Sequence, residues 1–137
     1  AQIMLHAAGF PEEIETDKTF NEIDHGPDEN KTDADIIERI GEQALNDWAE
    51  FGVVPDGWIV DPRATQQSWL DFAGQCVSDR KDDLTIVVSS GGIIRFAPVI
   101  LLDPIDNPKV KTASMSLLSH DGEQWTCDFW NKRADDL

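Results

Sequence analysis

Leu84-Thr85-Ile86-Val87-Val88-Ser89-Ser90-Gly91-Gly92 is the stretch on which the reading of this chain turns. Its first five residues form a continuous, largely β-branched run, the pattern of a strand covered on both faces. Four small residues follow, and then an apolar stretch that reads as a helix over 93–102. A buried strand that ends in small residues at a helix start makes an anion site. The N–H groups of Ser90, Gly91 and Gly92 would point to one spot, the helix dipole would add partial positive charge, and the glycines would permit close backbone approach. Ser89 and Ser90 add hydroxyl donors. The same junction also serves as a plain tight turn in many α/β proteins, so by itself it leaves both readings open.

Upstream, residues 34–51 carry Ile36, Ile37, Ile40, Ala44, Leu45 and Trp48 at helical spacing. Thr32-Asp33 caps this helix, and Gly52 and Pro55 mark its end. A loop around Trp58 leads to Pro62, which opens another helix with Trp69, Phe72, Ala73, Cys76 and Val77 on one face. Residues 79–83 form a charged turn. Further back, 21–33 reads as a loop, 13–17 as a short, weak strand, and 1–8 as the end of a helix stopped by Gly9 and Pro11. Downstream of the central stretch, 111–119 and 124–131 read as two strands joined by an Asp121-Gly122 hairpin turn. This order predicts an α/β fold: a three-layer α/β/α sandwich with a mostly parallel sheet and an antiparallel ribbon at the end. The 137 residues suit one domain.

Composition narrows the partners. Lys plus Arg is 11 and Asp plus Glu is 27, a formal charge of -16 that repels nucleic acid and anionic lipid. An anionic ligand therefore needs a local positive site. The bland reading of the acidity is solubility in a salty or crowded cytoplasm, and a cytoplasmic location is expected. No run approaches the ~20 apolar residues of a membrane span, and no basic region marks a signal peptide. Cys76 and Cys127 are expected to be reduced and buried. Two Cys and three scattered His give no zinc pattern.

A second constellation lies in Asn21-Glu22-Ile23-Asp24-His25-Gly26, where a carboxyl group of raised pKa could act as a general acid. Alone, it also reads as an acidic turn.

Taken together, the motifs resemble a known family. Ile86-Val87-Val88-Ser89-Ser90-Gly91-Gly92-Ile93-Ile94-Arg95 resembles the second signature of the histidine phosphatase superfamily, the phosphoglycerate-mutase-like group, whose usual form is a strand, Ser-His-Gly-Gly and an apolar helix. Phe20-Asn21-Glu22-Ile23-Asp24-His25-Gly26 resembles its Leu-Asn-Glu segment, and the closing hairpin resembles its C-terminal strands. Order and spacing agree over 1–131. The resemblance implies cleavage of a phosphate ester through a phosphohistidine, with no metal or other cofactor. Glu22 would be the general acid, and Gly91 would offer a backbone N–H to the phosphoryl group. It also implies a helical cap over the site, at 27–80, from which Trp58 and Arg63 could touch substrate. The partner would be a phosphorylated small molecule or a phosphoprotein.

Two departures matter. Ser90 stands where the second histidine usually stands; a branch of the family similar to this chain also has serine there. A neutral hydroxyl can bond a phosphoryl oxygen but adds no charge, and His25 is the candidate to compensate. The Arg-His-Gly motif that supplies the nucleophile is absent, since none of His6, His25 and His120 follows an arginine. The chain thus resembles the C-terminal two-thirds of such a domain, with the first strand of the sheet missing. That strand is expected from an N-terminal segment, a second fragment or a homo-oligomer, and the 137 residues alone are expected not to turn over substrate. The alternatives are a non-catalytic phospho-ligand binding or interaction protein, and a plain α/β domain with a structural turn. Trp48 and Trp69 are expected in the core, and Arg95 in a structural ion pair.

Overall fold

The computed structural model describes residue 9 and residues 14–79 and 84–136. The helix expected at 1–8 and the charged residues 80–83 lie outside the described residues. Residues 14–17 form no regular element. A single 3-10 turn, Lys18–Phe20, then leads into the acidic loop, and Asp17 caps it by accepting the Thr19 N–H at 2.8 Å.

The helix expected over 34–51 is two helices. α1 spans Asp33–Ile40 and α2 spans Glu42–Phe51. The break is Gly41, whose φ of 85° lies outside the helical region and turns the chain between them. Thr32 starts α1 with a reciprocal capping box: its hydroxyl accepts the Asp35 N–H, and the Asp35 carboxylate accepts the Thr32 N–H. α2 ends at Gly52, φ 69°. α3 spans Pro62–Asp79, and the Asp61 carboxylate accepts the N–H groups of Arg63 and Ala64 in its first turn. Its buried face carries Trp69 and Ala73, with Phe72, Cys76 and Val77 half-buried beside them.

Two expected elements are corrected. Residues 84–88 form no strand pair among the described residues. Leu84, Ile86 and Val88 are exposed and alternate with half-buried Thr85 and Val87. A β-branched run has the propensity for a strand, but a strand exists only where a neighbour satisfies its N–H and C=O groups. The helix expected over 93–102 is shorter. α4 is one turn, Gly91–Ile94, followed by a 3-10 turn at Ala97–Ile100. Pro98 explains the change, since it lacks an N–H and its ring would clash with the carbonyl four residues back.

The hairpin is present. β1, Met115–His120, pairs antiparallel with β2, Trp125–Lys132, through the Asp121-Gly122 turn, with Gly122 at φ 104°. The described residues therefore combine helices with a two-stranded antiparallel sheet, an α/β mixture without a parallel strand pair among them.

The core joins these pieces. Ile23, Trp69, Ile93, Phe96 and Ala97 are buried together, with Phe20, Trp48, Trp58, Phe72 and Trp130 packed around them. Trp69 anchors α3 to α4 by donating its indole N–H to the Ile93 carbonyl at 3.1 Å. Trp69 is buried as expected and Trp48 is half-buried. Both cysteines are free; Cys76 is half-buried, but Cys127 is exposed on β2 rather than buried. Among the described residues no helix is long and apolar enough to cross a membrane.

Candidate functional site

The acidic loop and the Ser-Ser-Gly-Gly turn lie far apart in sequence and meet in space. Ile23 is the anchor: at 5% exposure it plugs into the core beside Ile93. That plug holds Glu22 next to the turn. A Cβ added to Gly92 would stand 3.0 Å from the Glu22 Oε1 and 3.4 Å from Ile23 side-chain atoms. Glycine at 92 is thus what leaves room for the carboxylate. Glu22 Oε1 also accepts the Ile23 N–H at 3.1 Å, which fixes the carboxyl close to its own backbone. A second tie comes from Ser89, whose hydroxyl donates to the Phe20 carbonyl at 2.6 Å.

Ser90 occupies the N-cap position of α4, yet its hydroxyl makes no capping bond. Its Oγ is buried and has no hydrogen-bond partner among the described residues. A buried hydroxyl left this way costs about 1–3 kcal/mol, so the position is unfavourable for stability unless something else engages it. Because α4 is a single turn, the dipole expected behind the turn is small; the local donors are what remain. No acceptor among the described residues takes the N–H of Gly91 or Gly92. Gly91 is crossed on its other side by the segment 107–111: a Cβ there would stand 3.1 Å from Val110 Cγ2.

His25 faces elsewhere in its close contacts. Its ring meets Trp58 edge-on at 4.5 Å between centroids, and its Nδ1 lies 3.4 Å from Glu29 Oε1. Trp58 is held in turn. Its indole N–H donates to Asp28 Oδ2 at 2.7 Å, and Arg39 from α1 donates through Nε to Asp28 Oδ1 at 2.7 Å and through Nη2 to Oδ2. The Arg39 hydrogen bond, opposed by burial and helped by Trp58, holds the Asp28 carboxyl down at about 2. Arg39 Nη2 also donates to the Asp56 carbonyl at 2.7 Å. This clamp closes the region 26–58 on itself, and Gly26 and Gly57 make the closure possible. A Cβ on Gly26 would fall 2.1 Å from the Gly57 carbonyl oxygen. Trp58 thus has a structural task, and Arg63 lies exposed at the start of α3.

Arg95 differs from its expected role. Among the described residues it forms no ion pair; its guanidinium lies 4.4 Å over the Trp48 ring and donates to the Ala49 carbonyl at 3.0 Å. Burial lowers its pKa from the ordinary guanidinium value. The stack ties α2 to the turn that follows α4.

A cleft of about 460 Å³ opens beside the turn, between Gly91 and Gly92 on one side, α1 and α2 on another, and Lys109 and Val110 on the third. Lys109, the Asp28–Arg39–Trp58 clamp and the Arg95 stack were not singled out in the sequence as parts of a site. The one signal for Lys109 was a pair of lysines, Lys109 and Lys111, in a chain with only 11 cations. Nothing in the sequence signals that Asp28 and Arg39 meet.

A carboxylate on the Cβ side of Gly92, in a turn whose glycine amides and buried Ser90 hydroxyl have no partner among the described residues, is an arrangement that can seat an oxyanion and deliver a proton beside it. Comparison with known proteins gives the same direction: the model of the histidine phosphatase superfamily (branch 1) matches residues 1–133. Neither a curated protein nor a solved structure matches the chain. With the order of its motifs, the contact between Glu22 and Gly92 and a family match over nearly its whole length, this chain belongs to the histidine phosphatase superfamily.

Proposed function

We propose that this chain carries the acid and anion side of a phosphomonoesterase that works through a phosphohistidine. The observation that carries the reading is the Glu22 carboxylate on the Cβ side of Gly92, in the same turn as a buried Ser90 hydroxyl that has no partner among the described residues. A histidine nitrogen attacks phosphorus, the ester P–O bond breaks, and Glu22 gives its proton to the departing alkoxide oxygen. Water then attacks the phosphohistidine, Glu22 takes a proton from it, the P–N bond breaks, and inorganic phosphate leaves. Ser90 and Gly91 donate hydrogen bonds to the phosphoryl oxygens as charge shifts onto them. His25 is the third candidate for these oxygens, from the same loop as Glu22.

No Arg-His-Gly occurs in the sequence, so the attacking histidine would come from outside these 137 residues. The segment 84–88 supports where it would dock. Its backbone pairs with no strand among the described residues, which leaves an edge for an added strand, and such a strand would complete a mostly parallel sheet in a three-layer sandwich whose next layer would cover the exposed Leu84, Ile86 and Val88. It could belong to an N-terminal segment, a second fragment or a second copy. The region 27–80 would then cap the site.

One observation favours a second reading, a phospho-ligand binding protein without turnover: Ser90 supplies no charge where the family's second histidine would. Rapid quenching of the full protein with a radiolabelled phosphomonoester separates the two. The expected result is an acid-labile, base-stable phosphoenzyme. Tight vanadate binding with no phosphoenzyme and no phosphate release would establish the second reading. A His25→Ala variant with unchanged vanadate affinity would remove His25 from the site.

A further inference from the structure

The site as described lacks positive charge. Ser90 is neutral, the chain carries a formal charge of -16, and the Arg95 guanidinium is already engaged by the Trp48 ring and the Ala49 carbonyl. Among the described residues one cation remains in the cleft beside Gly91 and Gly92, and it is Lys109. Among the described residues its side chain pairs with no carboxylate. Its backbone, in contrast, is fixed. The Lys109 N–H donates to Asn107 Oδ1 at 3.0 Å, the Lys111 N–H donates to Asn131 Oδ1 at 2.7 Å, and Val110 between them rests on Gly91. Lys111 thus ties the strap 107–111 to β2 at one end, the Asn107 side chain shapes a local turn at the other, and Val110 sets the strap against the anion turn. Asp33 and Glu42 face the same cleft from the helix side.

We propose that Lys109 is a phosphoryl-binding residue, supplying the charge that Ser90 lacks, and that the ligand is a small phosphomonoester lying in this cleft rather than a folded phosphoprotein. The proposal rests on the phosphatase reading of the same turn and deepens it. The cleft, at about 460 Å³, falls within the ~300–1,000 Å³ of small-molecule sites. Its walls divide the ligand. The phosphoryl group sits between the Gly91 and Gly92 amides and the Lys109 ammonium. The body of the ligand runs along Leu45 and Trp48, where Asp33, Glu42 and Asn46 accept hydrogen bonds from its hydroxyl groups. The two carboxylates also disfavour a ligand with a second anionic group at that end.

The test is a titration of the full protein with inorganic phosphate, followed by amide NMR at low salt. Four forms are compared: wild type, Lys109→Met, Lys109→Arg and Lys111→Met. Gly91 and Gly92 amide signals should shift in all four. The dissociation constant should rise about tenfold in Lys109→Met, as expected for losing one charged hydrogen bond. It should stay near wild type in Lys109→Arg and change less than about twofold in Lys111→Met, whose loss of charge acts only at long range. Unchanged affinity in Lys109→Met, or equal weakening in both Met variants, would overturn the role of Lys109 while the shifting glycine amides kept the anion site intact. Wild-type protein whose Gly91 and Gly92 amides ignore phosphate would overturn the reading of the turn itself, and Lys109 with it.

Discussion

Two polar clusters in this chain are built in opposite ways. In the clamp of Asp28, Arg39 and Trp58, both carboxylate oxygens, the guanidinium and the indole are hydrogen-bonded to one another. In the turn at Ser90, Gly91 and Gly92, a buried hydroxyl and two amides have no partner among the described residues, and a carboxylate stands near Gly92. The first cluster is satisfied and needs nothing more. The second is left unsatisfied by the described residues, which is what a ligand site would show and a structural knot would not. Stability should therefore be concentrated in the clamp and function at the turn, and substitutions can separate the two.

The largest effect is expected in the clamp region. Gly26→Ala would force a Cβ to 2.1 Å from the Gly57 carbonyl oxygen at a φ of 54°. We expect a loss of about 3 kcal/mol or more, read by urea denaturation. A variant as stable as wild type would mean that the two glycines do not seal this region.

Asp28→Asn comes next and carries a pH signature. The folded-state pKa of Asp28 is held at about 2, below the ordinary carboxylate value of 3.8. A depressed carboxylate pKa contributes stability that is present above the unfolded value and is lost as pH falls through the folded one. Wild type should thus be more stable than Asp28→Asn at neutral pH. The advantage should fade between about pH 4 and pH 2. A difference that does not change with pH over that range would remove the ionised pair as its cause. Activity per folded molecule should be unaffected.

Gly92→Ala sharpens the comparison from the other side. Its Cβ would meet Glu22 Oε1 at 3.0 Å, and a flexible carboxylate can move away at small cost. Stability should change by less than about 1 kcal/mol, since alanine also favours the helical turn. Phosphatase turnover by the full protein should fall on the order of tenfold, because the acid is displaced. A loss of stability without loss of turnover would reverse the assignment of the turn to function.

Sequence and structure agree best where a feature is local. Thr32 capping, the Pro62 start of the long helix, the Trp69-Phe72-Ala73 face and the Asp-Gly hairpin were all readable, because each depends on neighbours a few residues away. Residues 84–88 have the propensity of a strand, but pairing requires a partner from elsewhere, and none of the described residues supplies it. The helix expected over 93–102 stops early because Pro98 cannot continue it, whatever the apolar pattern around it. Of the candidate site, the order of motifs points to Glu22, Ser90 and Gly91, and the structure places the Glu22 carboxylate near Gly92. The proposed role of Lys109 has no such signal, since it depends on a strap crossing Gly91 and not on any pattern around Lys109 itself.

The central claim is that Glu22 protonates a leaving oxygen at this turn. The most direct measurement compares wild type with Glu22→Gln, in the full protein, on two phosphomonoesters: an alkyl phosphate, whose alkoxide needs a proton to depart, and p-nitrophenyl phosphate, whose phenolate does not. The account predicts that kcat falls at least about a hundredfold on the alkyl ester and several-fold at most on the nitrophenyl ester. Equal losses on both, or no loss on either, would contradict it.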